Sequence, residues 1–232
     1  MSVNSTKILK TLLTIFLVLT SATATFAHEP VKDDEVMLGL RAGHNASFGY
    51  FTAASIQSRL NFNNINLETG IQYNTIGKTA IEVRPAYFKQ FNWGRLSAEA
   101  IIAYTHLKSV GSISAGAGVG ITGRWIGGKL GYYYRMYGSK GSNIQEPFNI
   151  YYEFCANLLP MIEEWDLQLF ITNSELFELE RHYQPSFIAK CQFHLMPGLG
   201  LSLGLGCKPS GMFNLSADYY QAFLNLGICY RW

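Results

Sequence analysis

Charge is scarce in this 232-residue chain: Asp, Glu, Lys and Arg make up 15% of it, against about 25% in ordinary soluble domains. The two signs nearly cancel at net +2, so no basic excess points to nucleic acid. Long apolar runs are missing as well. The run LLTIFLVL (Leu12–Leu19) falls far short of the roughly 20 residues that a membrane helix needs. Cysteine is sparse, and Cys155, Cys191, Cys207 and Cys229 stand too far apart for a C-x-x-C metal motif. No metal or other cofactor is expected.

What is present is aromatic and alternating. Phe, Trp and Tyr make up 14% of the chain. The first residues have the form of an export signal: Lys7 and Lys10, then the short apolar core, then small residues to Ala27. That assigns residues 1–27 to a signal peptide, with cleavage after Ala24 as the alternative. A polar leader, residues 28–35, follows. From residue 36 to 232, period-two segments succeed one another. In INLETGIQYN, Ile65, Leu67, Thr69, Ile71 and Tyr73 oppose Asn66, Glu68, Gly70, Gln72 and Asn74. A helix would need a 3.6-residue period.

Twelve strands are expected: 36–44, 52–62, 65–75, 79–90, 95–106, 112–124, 129–138, 147–158, 165–173, 184–195, 199–208 and 219–232. Ten is the alternative, because 36–62 and 208–232 divide in more than one way. Their lengths suit the roughly 9–11 residues with which a tilted strand crosses a bilayer. Trp93, Trp125, Trp165 and Trp232 then all fall at one edge, where an indole has both lipid and a polar partner. Tyr50, Tyr73, Tyr104 and Tyr137 mark the other edge. Cys191 and Cys207 come out of register, so no disulfide is expected to join them.

The last ten residues, FLNLGICYRW, put Leu224, Leu226, Ile228, Tyr230 and Trp232 on one face. With the signal peptide, the strand pattern and the Trp edge, this chain resembles the outer-membrane β-barrel proteins of diderm bacteria. The resemblance covers nearly the whole chain at the level of the class. It implies an all-β, closed antiparallel transmembrane barrel with both termini periplasmic. It also implies that Tyr230 and Trp232 sit in the C-terminal signal read by the barrel-assembly machinery, with outer-membrane lipid around the wall. In size the chain is similar to the small twelve-stranded porins.

The polar face is expected to line the interior with Arg41, Arg59, Glu68, Glu82, Arg84, Glu99, Arg124, Arg135, Glu153, Asp166, Lys190 and Arg231. Arg59 and Glu68 flank the Asn63-Asn64 turn symmetrically, which predicts an ion pair. Seven cations against five carboxylates would favour small anionic solutes slightly. Two readings stay open: a narrow channel for small polar solutes, or a closed barrel whose charges neutralise one another. Gly116, Gly118, Gly120, Gly200, Gly204 and Gly206 favour room in the lumen, unless they seat a neighbouring ring such as Tyr133. In the closed reading the surface loops would bind a ligand or host surface; Ser174–Tyr183, 138–147 and 208–218 are the longest. A third reading, a lipid hydrolase, needs a Ser and a His in reach. His106 falls on the lipid-facing register with Ser109 and Ser112 beyond it, and no His-x-Ser pair shares a strand face. No catalytic residue is assigned.

Overall fold

A computed structural model describes residues 34–92, 94–139, 142–158, 165–179, 184–209 and 219–232. The export signal, most of the leader and Trp93 lie outside the described residues. The strands are β1 (Glu35–Asn45), β2 (Gly49–Phe62), β3 (Ile65–Asn74), β4 (Lys78–Phe91), β5 (Gly94–Leu107), β6 (Val110–Thr122) and β7 (Ile126–Ser139). They continue as β8 (Ser142–Asn157), β9 (Trp165–Thr172), β10 (Ser174–Glu175), β11 (Glu178–Leu179), β12 (Ser186–Met196), β13 (Leu199–Pro209) and β14 (Tyr219–Arg231).

Twelve of these close into one barrel in the order β1-β14-β13-β12-β9-β8-β7-β6-β5-β4-β3-β2, and β10 and β11 form a separate hairpin. The twelve-strand expectation holds and the ten-strand alternative does not. All neighbours in the barrel are antiparallel, and β1 meets β14 along its whole length, from Glu35 opposite Arg231 to Asn45 opposite Gln221. Closure leaves no open edge, so every strand finds its ladder partners inside the sheet.

The alternation sends apolar side chains out. Leu40, Val119 and Leu226 are 64%, 64% and 49% exposed. Their inward neighbours Arg41, Glu82, Arg84, Glu99 and Arg135 are buried. A water-soluble barrel would have the opposite polarity, since exposing this much Leu, Ile, Val and Phe to water is unfavourable at about 25 cal/mol per Å². The outer surface is therefore matched to lipid.

Asp34, Trp232 and the strand ends joined after β2, β4, β6, β8 and β12 lie at one end, here the terminus end; the opposite strand ends mark the loop end. Trp125, Trp165 and Trp232 are about half exposed at the terminus end. Trp165 meets Phe193 edge-on, and Tyr230 stacks with Trp232. Tyr50, Tyr73 and Tyr104 point outward near the loop end. Tyr137 departs from the expected outer belt. It pairs with Ser112 and Ile144 in register, shares the inward face with Arg135, and its hydroxyl accepts from Arg135 Nη1 at 3.0 Å. The two-residue turn after β2 works because Asn63 takes φ 52°, a left-handed conformation that Asn tolerates.

Candidate functional site

The interior is built in two layers. Near the terminus end, charges meet in pairs, most of which keep partial contact with water while Glu99 is buried. Arg59 and Glu68, opposite each other on β2 and β3, lie 2.6 Å apart and are 50% and 28% exposed. Arg231 Nε donates to Glu35 Oε2 at 2.9 Å, and Arg231 also touches His194. Lys129 stands 3.4 Å from Glu99 and 3.6 Å from Glu153. Asp166 accepts from Gln168 on the same strand at 2.9 Å. Lys190 shares that inward row, opposite Gln168 and Gly204.

Deeper in, buried side chains crowd the interior. On the β5–β8 side, Ile101, Ala103, Tyr133 and Tyr151 form one buried cluster. Its two tyrosines crowd inward glycines, Tyr151 through its ring and Tyr133 through its Cβ and backbone. A Cβ on Gly116 would lie 2.6 Å from Tyr133 Cβ, and one on Gly118 would lie 2.7 Å from Tyr151 Cζ. The same holds across the barrel, where a Cβ on Gly206 would meet Phe223 Cε1 at 2.9 Å. These glycines thus do not open the lumen. They let aromatic rings lie against the wall, because the only tolerable neighbour to such a close ring is a residue without a side chain.

On the other side the closure is the hairpin β10–β11. Ser174–Leu179, the described part of a loop expected to serve surface recognition, instead folds inward. Glu175 Oε2 lies 3.0 Å from Arg41 Nη2, and Glu175 Oε1 lies 3.6 Å from Lys208 Nζ. Arg84 donates to the carbonyl oxygens of Ser174 at 3.2 Å and Glu175 at 3.0 Å, while its Nε meets Glu82. The Phe177 N–H donates to the second oxygen of Glu82 at 2.6 Å, and Lys78 Nζ donates to the Phe177 carbonyl at 3.5 Å. The Phe177 ring is buried against Gly70, whose Cβ, if present, would lie 2.8 Å from Cε1.

Of the residues expected to line the interior, Arg41, Arg59, Glu68, Glu82, Arg84, Glu99, Arg135, Glu153, Asp166, Lys190 and Arg231 stand on inward registers. Arg124 does not: β6 ends at Thr122, and Arg124 is exposed in the turn before β7. The ion pair predicted across the Asn63-Asn64 turn forms. Glu35, Lys78, Lys129, Glu175 and Lys208 join the interior charges unanticipated. Lys129 and Lys208 are even-spaced from Tyr133 and Ser202 on their strands, so extending those strands by alternation would have found them. Glu175 carries no periodic signal. All four cysteines are free, Cys191 and Cys207 facing out and Cys155 and Cys229 in. His106 lies outward on β5, opposite Thr79 and Gly111.

No protein-family model and no curated protein matches this sequence. Solved structures do. The KdgM porin aligns with a TM-score of 0.53 at 11% identity, over 84% of this chain and 99% of that one. The NanC porin aligns with a TM-score of 0.54 at 10% identity, over 84% of this chain and 100% of that one. The fold is that of an outer-membrane β-barrel. The outer membrane phospholipase of Salmonella typhi shares it with a TM-score of 0.50 at 8% identity, over 90% of this chain and 96% of that one. The barrel fold therefore hosts both transport and catalysis, and its interior has to carry the functional argument.

Proposed function

We propose that the barrel is a narrow channel for passive passage of small polar solutes, closed in this conformation by the β10–β11 hairpin. The observation that carries this reading is that the closing piece is separate from the wall. The hairpin forms its own two-stranded sheet and touches the barrel through side chains and one seated ring, and among the described residues no ladder joins it to a barrel strand. A part held this way leaves without breaking the barrel. The partly exposed charges below it, Arg59 foremost, form a vestibule that water and small ions reach from the terminus end. In this reading that end faces the periplasm, since Trp125, Trp165 and Trp232 gather there.

The second reading is a closed scaffold, and the burial of Glu82, Arg84, Tyr133 and Tyr151 favours it. Single-channel conductance of the refolded chain separates the two, with heat-modifiable gel migration as the check on folding. The channel reading expects infrequent discrete steps, longer openings when Arg84→Ala frees the hairpin, and ion selectivity moved toward cations by Arg59→Ala. Folded barrels that stay silent in wild type and both variants would leave the scaffold reading. The interior supports no hydrolase assignment, and release of fatty acid from phospholipid vesicles by the wild-type barrel would reopen it.

A further inference from the structure

The cations of the interior are not all neutralised alike. Arg59, Arg84, Lys129 and Arg231 each lie against a carboxylate. Lys190, on the inward face of β12, makes no ion pair and no side-chain hydrogen bond among the described residues. The charges that act on it are Arg59, of its own sign, and the carboxylates of Glu35, Glu68 and Asp166. Those carboxylates are engaged elsewhere: Glu35 with Arg231, Glu68 with Arg59, and Asp166 through one oxygen with the Gln168 amide. An ammonium held inside a barrel beside a second cation draws in a mobile anion. We infer that Lys190 and Asn225, on either side of Gly204, form a binding site for a small monocarboxylate solute. This inference rests on the channel reading and names its solute class.

The wall supplies space as well as charge. Gln168, Lys190, Gly204, Asn225 and Arg41 stand opposite one another in turn across β9, β12, β13, β14 and β1. Gly204 differs from Gly116, Gly118 and Gly206, which are crowded by tyrosine or phenylalanine. A Cβ on Gly204 would have Asn225 Cβ and Nδ2 as its nearest neighbours, at 3.4 and 3.5 Å, an ordinary contact distance. The missing side chain thus leaves a gap between an ammonium and a carboxamide, each a hydrogen-bond donor. A carboxylate has two oxygens to offer such a pair of donors. With one cation uncommitted and three carboxylates acting on it, a single negative charge is matched and a dianion such as phosphate is not. Lys190, Gln168 and Asn225 are partly exposed with the hairpin seated. A solute in the vestibule therefore reaches the site before the closure moves.

The test is binding of acetate to the folded barrel in zwitterionic micelles, read from exchange broadening of 13C-acetate. Wild type is compared with Lys190→Gln, Gly204→Val and Arg124→Gln, each checked for folding by heat-modifiable migration. Arg124→Gln, in an exposed turn, removes the same charge away from the site. Lys190→Gln is expected to weaken acetate binding about tenfold or more, as loss of a charge-assisted hydrogen bond does. Gly204→Val keeps the charge but fills the gap, and should weaken binding too, while Arg124→Gln leaves it unchanged. Acetate that binds wild type and Lys190→Gln alike, or is indifferent to Gly204→Val, would overturn the site. An equal loss in Arg124→Gln would do the same. Chloride or phosphate that displaces acetate as readily as formate does would overturn the monocarboxylate class. Because binding is read without current, its outcome stands apart from that of the channel. Acetate bound to a barrel that never conducts keeps the site and sinks the channel, and conductance steps without acetate binding do the reverse.

Discussion

Arg59–Glu68 and Arg84–Glu82 are made of the same residue types, yet their surroundings give them different weights. The first sits in the vestibule, half open to water, and exposed pairs of this kind contribute about 0–1 kcal/mol. The second is 6% and 0% exposed, and removing one partner of a buried pair costs about 3–5 kcal/mol because a charge is left without compensation. Arg59→Ala is therefore expected to leave the denaturant midpoint of the folded barrel nearly unchanged, while Arg84→Ala lowers it clearly. Equal midpoints for the two variants would mean that water reaches Glu82 and that the septum is looser than its geometry. Both arginines alternate identically in sequence. Their difference arises from what enters the lumen beside Arg84, a fact beyond any strand period.

The hairpin depends on a single missing side chain. Gly70 on β3 leaves room for the Phe177 ring, and a methyl there would stand within 2.8 Å of ring carbon Cε1. Gly70→Ala is expected to push Phe177 out of its seat, lengthen openings in single-channel records and expose the hairpin to added protease, with heat-modifiable migration retained. Unchanged openings and protection would mean that the polar latch on Glu175 and Glu82 suffices without the ring. The same element marks the boundary of what sequence could disclose. The twelve barrel strands were legible because lipid outside and polar contacts inside impose a two-residue period on Ile65–Asn74 and its neighbours. Ser174–Leu179 has no such constraint. In SELFEL the acidic residues read as solvent-facing, and only the pairing of Glu175 with cations distant in sequence turns the loop inward. Gly116 and Gly118 were ambiguous for a related reason: a glycine shows that space is needed, and Tyr133 and Tyr151 decide what fills it.

Across the whole barrel the cysteines report how far water reaches from each side of the wall. Cys155 faces the vestibule on β8, opposite Gly127 and close to the terminus end, and is partly exposed. Cys229 also faces inward on β14 but is buried, with the Gln192 amide donating to its sulfur at 3.2 Å. Cys207 lies on the outer, lipid-facing surface of β13 and is exposed there. Thiolate reactivity requires access to a polar medium as well as a free sulfur. In proteoliposomes of variants that keep one cysteine each, a charged methanethiosulfonate reagent is therefore expected to modify Cys155 and to spare Cys229 and Cys207 until the barrel is unfolded. An uncharged, membrane-soluble maleimide should reach Cys207 in the folded barrel. Added to the terminus end alone, the charged reagent should label Cys155 at full rate; added to the loop end alone, it should label slowly in wild type and faster in Gly70→Ala. Equal wild-type rates from the two ends would mean that the septum does not close the lumen, and the vestibule and the hairpin would then belong to one continuous open pore.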